Sequence, residues 1–165
     1  YEIPKRDWSS DVCSSDLKII DSDTDHSNDS HCIDFWTPGT GAFAHVVTET
    51  VYDSPRLHLT EKTFKPIVMQ QPFVLVAPQH SLAYLREYGF QTFDCIWNED
   101  YDNLSDDDRI PAIADLLKDI SSWSPHRQEM AQRRVALAVE HNFNWFYGGF
   151  QDLLWNELSG MISRW

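Results

Sequence analysis

The apolar positions of this chain fall into short runs through its middle and into helical stripes towards its end. The clearest run is Phe73-Val74-Leu75-Val76, bounded by Pro72 and Pro78, which predicts a strand covered on both faces. Two further runs, residues 42–48 ending at Glu49 and residues 90–96, predict strands before and after it. Between the first two, Thr60 or Thr63 supplies a cap for a short helix. Between the last two, Ser81 caps a helix carrying Leu82, Tyr84, Leu85 and Tyr88, which Gly89 stops. Strand, helix, strand, helix, strand with short links predicts an α/β domain. Residues 42–49, 73–77 and 92–96 are its neighbouring parallel strands, with Phe73, Leu75 and Ile96 inaccessible. Right-handed crossovers put both helices on one face of that sheet.

Beyond Trp97 the pattern changes. An acidic loop, NEDYDNLSDDD, precedes a stripe of Ile110, Ile113, Leu116, Leu117 and Ile120 at helical spacing. Asp106, Asp107 and Asp108 stand at its start, where the helix dipole favours negative charge. Ser124-Pro125 opens a further helix running to about Asn142, through Met130, Val135, Leu137, Ala138 and Val139. Gly148-Gly149 then separates it from a last helix with Phe150, Leu153, Leu154, Leu158 and Met161. The aromatic group Phe143, Trp145, Phe146 and Tyr147 reads as helix-packing core rather than a ligand box.

Residues 7–17, DWSSDVCSSDL, have no hydrophobic period and resemble a translated frame of a sequencing-library adaptor. Residues 1–17 are therefore set aside as an artefact, with the natural chain expected near Lys18 and its N-terminal part missing. Residues 18–41 read as an acidic loop, the remnant of an upstream region. Asp21, Asp23, Asp25 and Asp29 fall at calcium-loop places, but His26 and Cys32 stand where that loop needs glycine and glutamate. His26, His31 and Cys32 have no second Cys/His pair at zinc spacing. TPGTGA at 37–42 lacks the glycines of a dinucleotide loop. Neither a metal nor a cofactor is expected.

Composition narrows the partners. A formal net charge of −13 argues against nucleic acid, which needs clustered lysine and arginine. No apolar run reaches the roughly 18 residues of a membrane-spanning helix. With Cys13 inside the adaptor frame, Cys32 and Cys95 are too few for a disulfide framework, so a cytoplasmic setting is expected.

In an open parallel sheet, ligands bind beyond the carboxyl ends of the strands. Here those ends bring Glu49, Glu61, Lys62, Lys65, Gln79, His80 and Glu99 towards one crevice, with Thr60 capping the helix that carries the lysines. Lysines at a helix N-terminus make an anion site, and carboxylates accept from ribose hydroxyls, so a nucleotide suits the set. No Ser-His-Asp or Cys-His order stands out, and the general base is not identified.

The segments VTET at 47–50, LTEKTFKPI at 59–67, PFVLV at 72–76, LREYGFQTF at 85–93 and NEDYD at 98–102 resemble a group of uncharacterised phage and bacterial proteins. The likeness covers about residues 42–120. More distantly, a glutamate followed by TEK and a helix is similar to the donor-binding half of fucosyltransferase-like GT-B glycosyltransferases. That resemblance implies a Rossmann-like parallel sheet, half of a GT-B-like fold, over residues 42–165, with C-terminal helices. It implies a nucleotide-sugar donor as ligand, Glu49, Glu61 and Lys62 at its site, and an acceptor-binding half in a missing N-terminal domain. Thr50 replaces the asparagine that follows the first glutamate in that family, and Lys65 stands where arginine is frequent. The alternative is a non-catalytic, phage-associated or protein-interaction module with the same fold.

Overall fold

The computed structural model describes residues 42–53 and 56–164. The readings made on residues 1–41 lie outside them. The fold is mixed α/β and mostly helical, with a small parallel sheet and C-terminal helices. In chain order it runs β1 (His45–Thr48), α1 (Glu61–Val68), β2 (Phe73–Val76) and α2 (Ser81–Glu87). A 3-10 turn (Asp100–Asn103) follows, then α3 (Asp106–Ser121), α4 (Pro125–Tyr147) and α5 (Gly149–Ile162).

Strands β1 and β2 pair in parallel, His45 opposite Phe73 and Thr48 opposite Val76. The ladder is closed by Glu49 N–H donating to the Val76 carbonyl at 2.9 Å. Phe73, Val74 and Leu75 are buried on both faces of β2, as an uninterrupted apolar run requires. Strand β1 alternates instead, with Val47 buried and Val46 half exposed.

The third strand expected at residues 92–96 does not form, and the described sheet has two strands. The physical reason lies in where the backbone donors go. Gln91 N–H donates to the Asn142 side chain at 2.7 Å and Phe93 N–H to the Glu99 carboxylate at 2.7 Å. Ile96 and Trp97 turn their N–H groups back onto the Phe93 carbonyl. A segment whose donors are already satisfied gains little from a sheet edge. The edge itself is occupied too. Residue 76 faces β1, so Leu75, one residue earlier, turns its N–H the other way. It donates there to the Tyr101 hydroxyl at 3.3 Å. The apolar residues of 90–96 instead record Phe90 and Phe93 entering the core from a turn, while Ile96, expected to be inaccessible, is only partly buried.

The cap of α2 also differs from expectation. Its N-cap is His80, in a left-handed conformation (φ 68°) and making no side-chain cap. The Ser81 hydroxyl donates to the Pro78 carbonyl instead, at 2.6 Å. The Asp102 carboxylate, twenty residues away, accepts from Leu82 N–H (3.0 Å) and Ala83 N–H (3.1 Å). The other end of α2 stops as its sequence predicts. Gly89 has φ +88°, its N–H donates to the Arg86 carbonyl, and Phe90 N–H reaches back to Leu85. An added Cβ at Gly89 would also stand 2.9 Å from the Trp145 ring. Gly89→Ala is therefore expected to cost roughly 1–2 kcal/mol from the left-handed backbone alone, read as a lower urea midpoint with unchanged slope.

Helices α3 and α4 start at Ser105 and Ser124, whose hydroxyls accept from Asp108 and Arg127 N–H. Helix α4 buries Ala131, Val135, Ala138 and Asn142 along one stripe. It continues through the aromatic group, of which Trp145 and Phe146 pack against the core, whereas Tyr147, expected there too, is exposed. Phe64 of α1 meets Phe146 at 5.4 Å and Phe150 at 5.5 Å between centroids. The Trp145 indole N–H donates to the Tyr88 carbonyl at 2.7 Å.

Candidate functional site

The carboxyl end of β1 leads directly into a dense hydrogen-bonded cluster. Glu49 is 7 % exposed. Its carboxylate accepts from Thr60 N–H (2.9 Å), the Thr60 hydroxyl (2.6 Å) and the Thr63 hydroxyl (2.5 Å). Thr60 is the N-cap of α1, and its hydroxyl oxygen accepts from Lys62 N–H at 3.3 Å. One buried carboxylate thereby sets where α1 begins. Burial alone would push the Glu49 carboxyl up. Hydrogen bonds from Thr60 and Thr63, with the Lys62 charge, outweigh that and hold it below the ordinary carboxylate range.

Around this anchor stand the groups that can meet an anion. Lys62 extends its Nζ to the Thr50 hydroxyl at 3.1 Å. Glu61 is exposed at the first position of α1. Lys65, expected at the same terminus, lies in the last turn of α1, on the same face as Lys62 three residues earlier. The arrangement offers a cation and the positive end of a short helix beside a strand's carboxyl end.

The remaining expected site residues take other partners. Gln79 donates to the Asn103 carbonyl at 2.7 Å, and His80 N–H donates to the Asp102 carbonyl at 2.8 Å. Glu99 was expected at the end of a third strand, which is absent. It is buried, pairs with Arg86 at 3.1 Å, and accepts from Phe93 N–H. Burial pushes its carboxyl up, against the lowering contacts from Thr92, Phe93 and Arg86. The single crevice read from sequence is thus three sets of contacts, of which the Glu49 cluster is the one holding lysine and helix terminus together.

Two residues of this region went unnoticed in the sequence. Arg109 of α3 is 1 % exposed. Its guanidinium donates to the Ala77 carbonyl at 2.9 Å, pairs with Asp106, and lies over the Tyr52 ring at 4.7 Å from the centroid. The Tyr52 hydroxyl donates to the Asp106 carbonyl at 2.8 Å. Arg109 therefore ties the loop after β1 to the chain leaving β2. Its position was a usable signal, because Arg109 lies on the same helical stripe as Ile113. A charged residue on an apolar stripe must find buried partners.

No protein-family model, curated protein or solved structure matches this chain. The functional reading rests on the chemistry of the cluster. Among the described residues, no three His, Cys, Asp or Glu side chains gather as a metal site requires, and no helix is long and apolar enough to cross a membrane.

Proposed function

We propose that residues 42–165 are the Rossmann-like, nucleotide-sugar-binding half of a glycosyltransferase-like protein, acting with an acceptor-binding half. The observation that carries this reading is the Glu49–Thr60–Thr63 anchor, which presents the start of α1 and Lys62 beside the carboxyl end of β1. Lys62 exchanges its Thr50 contact for the diphosphate, with Lys65 on the same face as a second charge. Glu61, exposed, accepts from the ribose hydroxyls. Glu49 has its oxygens occupied and orders the loop. In the transfer, an acceptor hydroxyl forms a bond to the anomeric carbon as the bond to the diphosphate breaks. Lys62 and the helix terminus stabilise the negative charge left on the departing diphosphate.

A calorimetric titration of the full chain with nucleoside diphosphates, nucleotide sugars and inorganic pyrophosphate tests this. An exposed lysine contributes a few tenths of a kcal/mol, whereas one held against a diphosphate contributes roughly 1.5–3 kcal/mol. Lys62→Ala is accordingly expected to weaken nucleoside-diphosphate binding about tenfold or more at an unchanged melting temperature. Glu61→Gln weakens nucleotides more than pyrophosphate. If no nucleotide binds below millimolar, the donor-site reading is wrong.

The second reading is the protein-interaction module, favoured by the outer surface of α5. Trp155 (68 % exposed), Leu158, Met161 and Ile162 stand in solvent there, an apolar surface of the kind interfaces use. Failure of every nucleotide in the titration above would put this reading first.

A further inference from the structure

A hollow separate from the Glu49 cluster lies where α1, α2 and α5 come together. It is a cavity of about 240 Å³ walled by Phe64, Tyr84, Tyr88, Phe90, Phe150 and Leu154, with His58 on its exposed rim. A drug-sized ligand needs roughly 300–1,000 Å³, so this space suits a single ring or a short branched chain.

Its polar groups are arranged with a definite polarity. The Tyr84 hydroxyl donates to the Tyr88 hydroxyl at 3.2 Å, and Tyr88 donates onward to the Glu157 carboxylate at 3.4 Å. The Tyr84 contact, burial and the nearby Glu157 all push the Tyr88 phenol up, so it keeps the proton it donates. Both phenol hydrogens are thereby committed, and the lone pairs on the tyrosine oxygens remain as acceptors. At the two tyrosine oxygens a ligand must therefore bring a donor. The line of hydroxyls ends on a carboxylate, aromatic rings attract cations across their faces, and the chain as a whole carries −13. A carboxylate ligand would meet acceptors and negative charge at each of these points.

We propose that this cavity binds a small organic amine. An aromatic or branched aliphatic body fills the space between Phe64, Phe90, Phe150 and Leu154. The ammonium donates to the Tyr84 oxygen, and the Glu157 carboxylate, beyond Tyr88 at the other end of the hydroxyl line, supplies the negative charge. This site is independent of the donor-site reading and stands whether or not nucleotides bind.

The test is a calorimetric titration of the full chain with phenethylamine and with 3-phenylpropionate, two ligands of similar body and opposite charge. Phenethylamine is expected to saturate and to bind about tenfold tighter or more than the carboxylate, as one charged contact would produce. Leu154→Trp, which fills the cavity, is expected to abolish binding at unchanged helicity. Glu157→Gln is expected to remove most of the preference for the amine. Should Leu154→Trp fail to fold, Tyr84→Phe replaces it and is expected to weaken the amine several-fold. No saturable binding of phenethylamine, equal binding of the carboxylate, or indifference to these substitutions overturns the proposal.

Discussion

Glu49→Ala is expected to lower the melting temperature by about 10 °C, the largest effect of any single carboxylate in the described part of the chain. Three hydrogen bonds converge on that carboxylate from Thr60 and Thr63. Bonds to a charged acceptor contribute roughly 1.5–3 kcal/mol each, and truncation leaves their donors without a partner. Because the three share one acceptor they do not add in full, and roughly 3–5 kcal/mol is the expected loss. For a domain of this size each kcal/mol moves the midpoint by about 2–4 °C. Glu49→Gln is expected to be milder, since it keeps one acceptor oxygen and replaces the other with a donor.

The loss also depends on pH, in a direction that follows from the shift. The folded carboxyl is held below its ordinary value, so near that range the unfolded chain binds the proton more readily than the native one. The contribution of Glu49 is therefore complete above the ordinary glutamate pKa of about 4.3 and is lost as pH falls through the folded value. Melting curves of the two proteins should stand apart at pH 7 and approach each other below pH of about 4. Curves separated equally at both ends would mean that packing around residue 49, and not ionisation, sets its effect.

Asp102→Ala is the second large effect, expected at roughly 2–4 kcal/mol, from the loss of two bonds to a charged acceptor at a helix start. The Asp102 side chain serves α2, whose own N-cap residue makes no side-chain bond. Without it, Leu82 and Ala83 N–H have no acceptor at the first turn, and Leu82 is buried. Hydrogen exchange measured residue by residue checks the assignment. Protection should fall first at Leu82 and Ala83 in the variant, whereas a drop spread evenly over the chain would place the role of Asp102 elsewhere. Asp102→Asn should recover part of the loss, because one acceptor oxygen remains.

The motif around Asp102 shows why sequence and fold parted company. The stretch Glu99–Asp102 reads as part of an acidic loop, with Glu99 at the end of a strand. In the fold, Glu99, Tyr101 and Asp102 are all buried. Each directs a side-chain oxygen at a backbone N–H: Phe93 for Glu99, Leu75 for Tyr101, and Leu82 with Ala83 for Asp102. Two of them, Tyr101 and Glu99, do what a third strand would have done for residues 75 and 93. The short apolar stretch at 90–96 could not reveal this, because so few residues do not distinguish a buried turn from a strand.

What the sequence by itself determined is whatever depends on neighbours along the chain. The apolar run Phe73–Val76, short and bounded by Pro72 and Pro78, reads as a covered strand and is one. Ser124 is a cap within its own helix, Gly89 is a stop because its backbone must turn left-handed, and of the two threonines the sequence offered, Thr60 opens α1. What only the tertiary structure decided is which distant side chain meets which backbone group. Glu49 reaches Thr60 and Thr63 across a loop, Asp102 caps a helix twenty residues earlier, and Arg109 is buried against Ala77 and Tyr52. A polar group leaves water only where a partner is already in place, and for these residues the partner comes from another part of the chain. Local pattern records that such a residue is polar; packing decides that it is inside.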